Sequence, residues 1–336
     1  MKHKIFLLFC FFGFLQGVFA QQAPQYTQYQ LNGFLLNPAV AGIENYVDLR
    51  MGSRLQWRGL SGAPTTQYVT VHAPLGRQFL FDNVSSMSGQ GNNPMSRSYV
   101  QTYQAAPAHH GVGLTAQVDE TGPISQTDLT ASYAYHLGVS SQLNISAGIS
   151  AGISQINLDA ADITLEDYSD ALLANLSNHQ LEPKLSAGIW VYGSRFYGGI
   201  ALQNLLTNRL SFAADNTNTV QKQQAQVFLS AGYKVSLSEE MAFFPSLLVN
   251  YTAASTSVDA NVKLAFRDKF WLGGGWRKND SFSANAGFNI GYLFNLGYAY
   301  DFTTSKLNTV SYGTHEFVLG ILLNNRYKVS CPQMNW

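Results

Sequence analysis

Apolar and polar residues take turns along most of this chain. Between residues 142 and 154, Leu143, Ile145, Ala147, Ile149, Ala151 and Ile153 fall on one side, and Asn144, Ser146, Gly148, Ser150 and Gly152 on the other. Successive side chains of an extended strand point to opposite faces, so a period of two makes a strand with one apolar and one polar surface. The same alternation runs through 129–137, 227–235, 258–266, 282–290 and 317–323. With the less regular segments it predicts about fourteen strands, most of them near the ten residues that cross a bilayer at a tilt. They fall at 46–57, 64–74, 109–119, 124–137, 142–156, 181–192, 194–204, 224–237, 240–252, 256–267, 269–278, 281–290, 292–302 and 313–324.

The connections separate into two sets. Those at 138–141, 193, 238–239, 268 and 291 are short; those at 157–180, 205–223 and 303–312 are long. An even-stranded barrel with its N-terminus in the periplasm puts short turns on the periplasmic side and longer loops outside. Residues 75–108, rich in Ser, Gly, Asn and Gln, are long yet fall on the periplasmic side; they read as a plug, an extra pair of strands or, most simply, a mobile loop. A soluble β-sandwich would bury its apolar faces between sheets. Long uninterrupted strands and alternating loop lengths weigh against it.

Composition sharpens the choice. Charged residues make up 12% of the chain, about half the share in soluble proteins. Beyond the N-terminus no apolar run approaches the roughly twenty residues of a membrane-spanning helix. The expected fold is therefore all-β: a transmembrane antiparallel β-barrel of the outer-membrane type. Formal net charge is zero, with no basic stripe, so nucleic acid is excluded as a partner.

Residues 1–20 read as a signal peptide. Lys2 and Lys4 precede an apolar run, and Val18, Phe19 and Ala20 supply a cleavage point near Ala20. Past it come an expected periplasmic segment at 21–45, the barrel at 46–324 and a periplasmic tail at 325–336. One cysteine, Cys331, remains after cleavage, which excludes an intrachain disulfide.

Several residues are candidates for contact with a partner. Asn37 and Pro38 open a turn that Gly42 closes. Pro38 forces Asn37 out of helical geometry, and Gly42 tolerates positive φ. The segment reads as a docking turn, a lumen-filling piece or, most simply, a turn seating the N-terminus against the barrel. Arg54, Gln56 and Arg58 share the polar face of the first strand around Trp57. Inward-facing arginines need acidic partners such as Asp259 and Asp301, so a lumen salt-bridge network is expected. Asp162, Glu166, Asp167 and Tyr168 lie in the longest outer loop, a contact point for a secreted protein. Their spacing does not fit an EF-hand, and no metal or cofactor is expected. Cys331 and Trp336 belong to a tail expected to dock back onto the barrel mouth. His109 and His110 point to opposite faces and cannot readily share a metal. No nucleophile motif marks an enzyme. Trp57, Trp271, Trp276, Tyr292, Tyr298 and Tyr300 read as an interfacial aromatic girdle.

The chain also resembles a known family. Gln25-Tyr26-Thr27-Gln28-Tyr29, Leu36-Asn37-Pro38-Ala39-Val40-Ala41-Gly42, Arg54-Leu55-Gln56-Trp57 and Gly62-Ala63-Pro64-Thr65-Thr66-Gln67 open the pattern. Pro183, Ala187-Gly188-Ile189, Tyr192, Phe196-Tyr197, Gly199, Ala231-Gly232-Tyr233, Pro245-Ser246, 268–273, 297–301, His315-Glu316 and Cys331-Pro332 follow in order. The ordered set is similar to the PorP/SprF family of outer-membrane proteins, part of type IX secretion and gliding motility in Bacteroidetes. The resemblance covers the mature chain. It implies partners rather than catalysis: other secretion components, the C-terminal domain of a secreted adhesin, or a periplasmic peptidoglycan-binding lipoprotein. The alternative is a porin-like channel in outer-membrane lipid, favoured by a polar lumen.

Overall fold

Fourteen antiparallel strands close into a barrel in a computed structural model that describes residues 24–76, 105–158, 179–206, 209–210, 221–222, 224–238, 240–267, 269–291 and 293–325. In chain order they are β1 (Val47–Leu55), β2 (Thr65–Leu75), β3 (His109–Thr121), β4 (Ile124–Ser140), β5 (Leu143–Leu158), β6 (His179–Tyr192), β7 (Phe196–Gln203) and β8 (Gln226–Tyr233, continued past Lys234 by Val235–Ser236). Then come β9 (Met241–Thr252), β10 (Thr256–Phe266), β11 (Phe270–Arg277), β12 (Ser281–Ile290), β13 (Phe294–Thr303) and β14 (Thr314–Leu323). Each strand pairs with its chain neighbours. The first and last pair over nine positions, from Val47↔Leu323 to Leu55↔His315. Closure leaves the sheet without an edge, which is what allows strands to cross lipid. Among the described residues no helix is long and apolar enough to cross a membrane.

The barrel is inside-out relative to a soluble sandwich. On β5 the polar residues are covered, with Ser146 1% and Ser154 0% exposed. The apolar ones face out, with Ile149 59% and Ile153 48% exposed. Leu114, Leu129, Leu229, Leu272, Phe282, Phe288 and Phe317 continue the outer apolar surface around the ring. Alternation therefore sorts side chains between lipid and lumen.

Two mouths result. One carries the tight connections at 141–142, 193–195, 237–240, 267–269 and 291–293, together with the 76–108 connection. The other carries 56–64, 159–178, 204–225 and 304–313 along with three short turns. These are called the turn mouth and the loop mouth below.

Residues 24–46 do not hang outside the barrel as the expected periplasmic segment would. They fill the lumen. Leu31, Phe34, Ala39, Val40, Ala41 and Ile43 pack with the inward side chains Trp190, Tyr192, Tyr197, Phe244, Trp271 and Val318. Tyr26, Tyr29 and Leu36 pack with Tyr68, Ala201, Phe228 and Leu248. The hydrophobic core of this protein is thus built between a plug and the wall around it. Trp271 belongs to that core rather than to an outer girdle. Its neighbours Phe270 and Leu272 point outward, and an all-apolar run gives periodicity nothing to sort.

Candidate functional site

The plug explains itself locally. Asn37 caps a short 3-10 turn, Pro38–Val40: its φ is −140° and its Oδ1 accepts from the Ala39 amide. An extended residue before proline and proline at the first helical position are both favoured geometries. Gly42 ends the piece at φ 74°. A second 3-10 turn, Gly33–Leu35, lies upstream.

The wall makes room with glycine. A Cβ on Gly111 would overlap the Ala41 carbonyl oxygen, and one on Gly188 would overlap Asn37 Oδ1. On Gly148 it would sit 2.5 Å from the Ala39 nitrogen; on Gly113 and Gly297 it would run into Phe34 and Gln28. These glycines lie on the inward face; backbone meets backbone at Gly111 and Gly148, and the other three make room for plug side chains.

Near the turn mouth the grip is neutral. His136 Nε2 donates to the Ala41 carbonyl at 2.8 Å, while its Nδ1 accepts from the Tyr192 hydroxyl at 2.9 Å. Ser146 Oγ donates to the Ala39 carbonyl at 2.7 Å. The Gly42 amide donates to His72 Nδ1 at 3.2 Å, and the Gly42 carbonyl lies 3.1 Å from His109 Nε2. His109 stacks on His136 with ring centres 4.5 Å apart. Asn37 Nδ2 donates to the carbonyls of Ile189 and Ile200, tying β6 to β7 from inside.

Near the loop mouth the grip is ionic. Arg54 Nη1 reaches Glu316 Oε2 at 2.7 Å and Nη2 reaches Asp301 Oδ2 at 2.9 Å, all three buried. Glu316 also accepts the backbone amides of Thr27 and Gln28, at 2.8 and 3.0 Å. Thr27 Oγ1 donates to Asp301 Oδ2 at 2.7 Å and accepts from Arg54. Arg277 pairs with Asp259 at 2.5 Å and approaches Asp301 to 3.8 Å. Buried charges persist only when paired and hydrogen-bonded, and this network meets both conditions. Between the two ends, Tyr29 bonds Ser246 at 2.8 Å.

The sequence-derived candidates sort clearly. Asn37, Pro38, Gly42 and Arg54 all lie in the lumen, Arg54 at the loop mouth and Gly42 at the turn mouth. Arg58 does not: β1 ends at Leu55, Trp57 turns to φ 47°, and Arg58 is exposed in the loop. Strand periodicity cannot be carried past a strand's end. Gln56 and Trp57 are half-buried at that rim, their amides bonded to Pro64 O and Thr314 Oγ1. Asp259 serves Arg277, not Arg54. The position of Arg277 is hard to read because Gly273-Gly274-Gly275 breaks the alternation. His72, His136 and Ser146 were not singled out in advance; each is an inward polar residue, which periodicity marks without ranking. Asp162, Glu166, Asp167, Tyr168, Cys331 and Trp336 lie outside the described residues, as do the signal segment and most of the 75–108 insert. His110 faces outward, opposite His109, as alternation requires.

A family model described as type IX secretion system membrane protein PorP/SprF matches residues 18–321. The chain belongs to that family. As a PorP/SprF protein it is an outer-membrane barrel of type IX secretion and interacts with components of that system. Neither family nor fold is that of an enzyme class. No curated protein matches the sequence. Among solved structures, the toluene transporter TbuX of Ralstonia pickettii is similar in fold. It is 11% identical, with a TM-score of 0.50 over 89% of this chain and 94% of that one. The outer membrane protein Omp33 of Acinetobacter baumannii is 8% identical over 84% of this chain and all of its own, with a TM-score of 0.47. The residues that carry the PorP/SprF resemblance include both sides of the plug contacts: Thr27 and Gln28 with Arg54, Asp301 and Glu316, and Asn37 with Gly188 and Gly199.

Proposed function

We propose that this PorP/SprF protein is a plugged docking barrel rather than a conducting pore. It would hold a secreted surface protein, through an adhesin's C-terminal domain, at the loop mouth. It would also reach a periplasmic peptidoglycan-binding lipoprotein at the turn mouth. The observation that carries this reading is the lumen itself: residues 24–46 occupy it and are bonded to β1, β2, β3, β4, β5, β6, β7, β9, β13 and β14. An open channel needs a water-filled path. A scaffold needs rigidity, which a packed core inside the wall supplies. The orientation assigned is the usual one for such barrels, with tight turns toward the periplasm. A signal peptide cleaved near Ala20 fits the export this requires.

Purification from native membranes after mild crosslinking should recover type IX components together with a large surface protein or a lipoprotein. In planar bilayers the purified barrel should be electrically silent. A large stable conductance, with no protein recovered alongside, would replace this reading with the porin-like one.

A further inference from the structure

The two ends of the plug lie at opposite mouths, and the order matters. Residues 39–42 contact Ser146 near the start of β5, His136 near the end of β4, His109 at the start of β3 and His72 near the end of β2. All four positions are at the turn mouth. Thr27 and Gln28 contact Arg54, one residue from the end of β1, Asp301, two from the end of β13, and Glu316, two from the start of β14. Those are at the loop mouth. The chain therefore descends the whole lumen from residue 27 to residue 42, reverses, and climbs again as β1.

Pro24 is three residues from Thr27, a reach of at most ~11 Å even when extended. The nine residues of β1 rise about 30 Å. Pro24 cannot return to the turn mouth. The tether at Thr27 is also firm, since Glu316 takes two consecutive backbone amides and Arg54 braces the carboxylate.

We propose that Pro24 and Gln25, at the head of the plug, are presented on the cell surface, opposite the side from which β1 starts. This rests on the orientation given under Proposed function. Because the wall is hydrogen-bonded all the way around, the segment is enclosed as β1 and β14 pair, or threaded before they do. A partner contacting this end would touch the residues next to the Arg54–Glu316–Asp301 clamp.

The test uses whole cells expressing the full chain with Cys331→Ser. Single cysteines Pro24→Cys, Asn308→Cys and Ser238→Cys are exposed to a membrane-impermeant maleimide before and after permeabilisation. A short epitope inserted after Gln22 gives an independent reading by antibody, should Pro24→Cys fold poorly. Asn308 is exposed at the loop mouth and Ser238 at the turn mouth. The expected result is labelling of Asn308→Cys and Pro24→Cys, and antibody binding, on intact cells, with Ser238→Cys silent until permeabilisation. If Asn308→Cys labels on intact cells but neither Pro24→Cys nor the epitope is reached, the proposal is overturned while the orientation stands. If Ser238→Cys labels on intact cells and Asn308→Cys does not, the orientation is inverted and the proposal falls with it.

Discussion

The plug is held by different physics at its two ends. At the loop mouth, Thr27 and Gln28 are fixed by charge, through two carboxylates and an arginine that belong to the first and the last two strands. At the turn mouth, residues 39–42 are fixed by fit: neutral histidine and serine bonds, and glycines whose missing side chains let two backbones touch. The ionic end also bridges the seam of the barrel, because Arg54 and Glu316 are direct cross-strand partners in the β1–β14 ladder. The hydrogen bonds and glycine contacts of the packed end run from β2 to β7, away from that seam. Fixing the segment and closing the wall are thus one event at the loop mouth and two separate ones at the turn mouth.

Substitutions can break this contrast, and the largest effect belongs to the charged end. Arg54→Met leaves Glu316 and Asp301 buried without their nearest cation. The expected loss is about 3–5 kcal/mol, seen as a lower temperature for the mobility shift of folded barrel on semi-native gels. A loss near zero would mean that the ion pairs do not anchor the seam. Gly148→Val comes next. Its Cβ meets plug backbone that cannot swing aside, at an expected cost of about 1–3 kcal/mol. Hydrogen exchange should rise at 39–43 and stay low at 27–28; a rise at both ends would show that the two anchors are coupled. Asn37→Ala removes the cap of the 3-10 turn and the bonds to Ile189 and Ile200. A loss of about 1–2 kcal/mol is expected, with the exchange of 39–41 again the readout. His136→Phe keeps a ring against His109 but leaves the Ala41 carbonyl without its donor. About 1 kcal/mol should be lost. Unchanged exchange at residues 41–43 in that variant would assign the whole grip to packing.

The strands were legible because alternation is a local signal. On β5 from Ile145 to Ile153 each apolar residue turned out exposed to lipid and each inward position small or polar, with the sorting reversed only beyond it at Gln155 and Ile156, and all fourteen spans lie close to those read from the chain. The plug was less legible. Asn37, Pro38 and Gly42 announced a turn, and the turn forms with the expected geometry. Nothing local says whether such a turn lies outside a barrel or within it. The wall's side of the contact looked like ordinary strand glycine at Gly111, Gly148 and Gly188. Arg58 was misplaced because a strand's last residue is set by loop hydrogen bonds to Gly313 and Tyr312, far along the chain. Trp271 was misplaced because its neighbours are as apolar as it is.

The amino-acid sequence by itself determined a wall: period-two strands, a lipid-facing apolar surface, a polar interior with arginine and acid that had to meet. It could do so because each strand's sorting depends on residues one and two positions away. Only the tertiary structure decided what fills the interior and which charges pair. Thr27 and Glu316 stand 289 residues apart, and no local pattern links them until the ring closes and brings the last strands against the first. The lumen is a volume made by the whole barrel, and its occupant is chosen by fit to that volume.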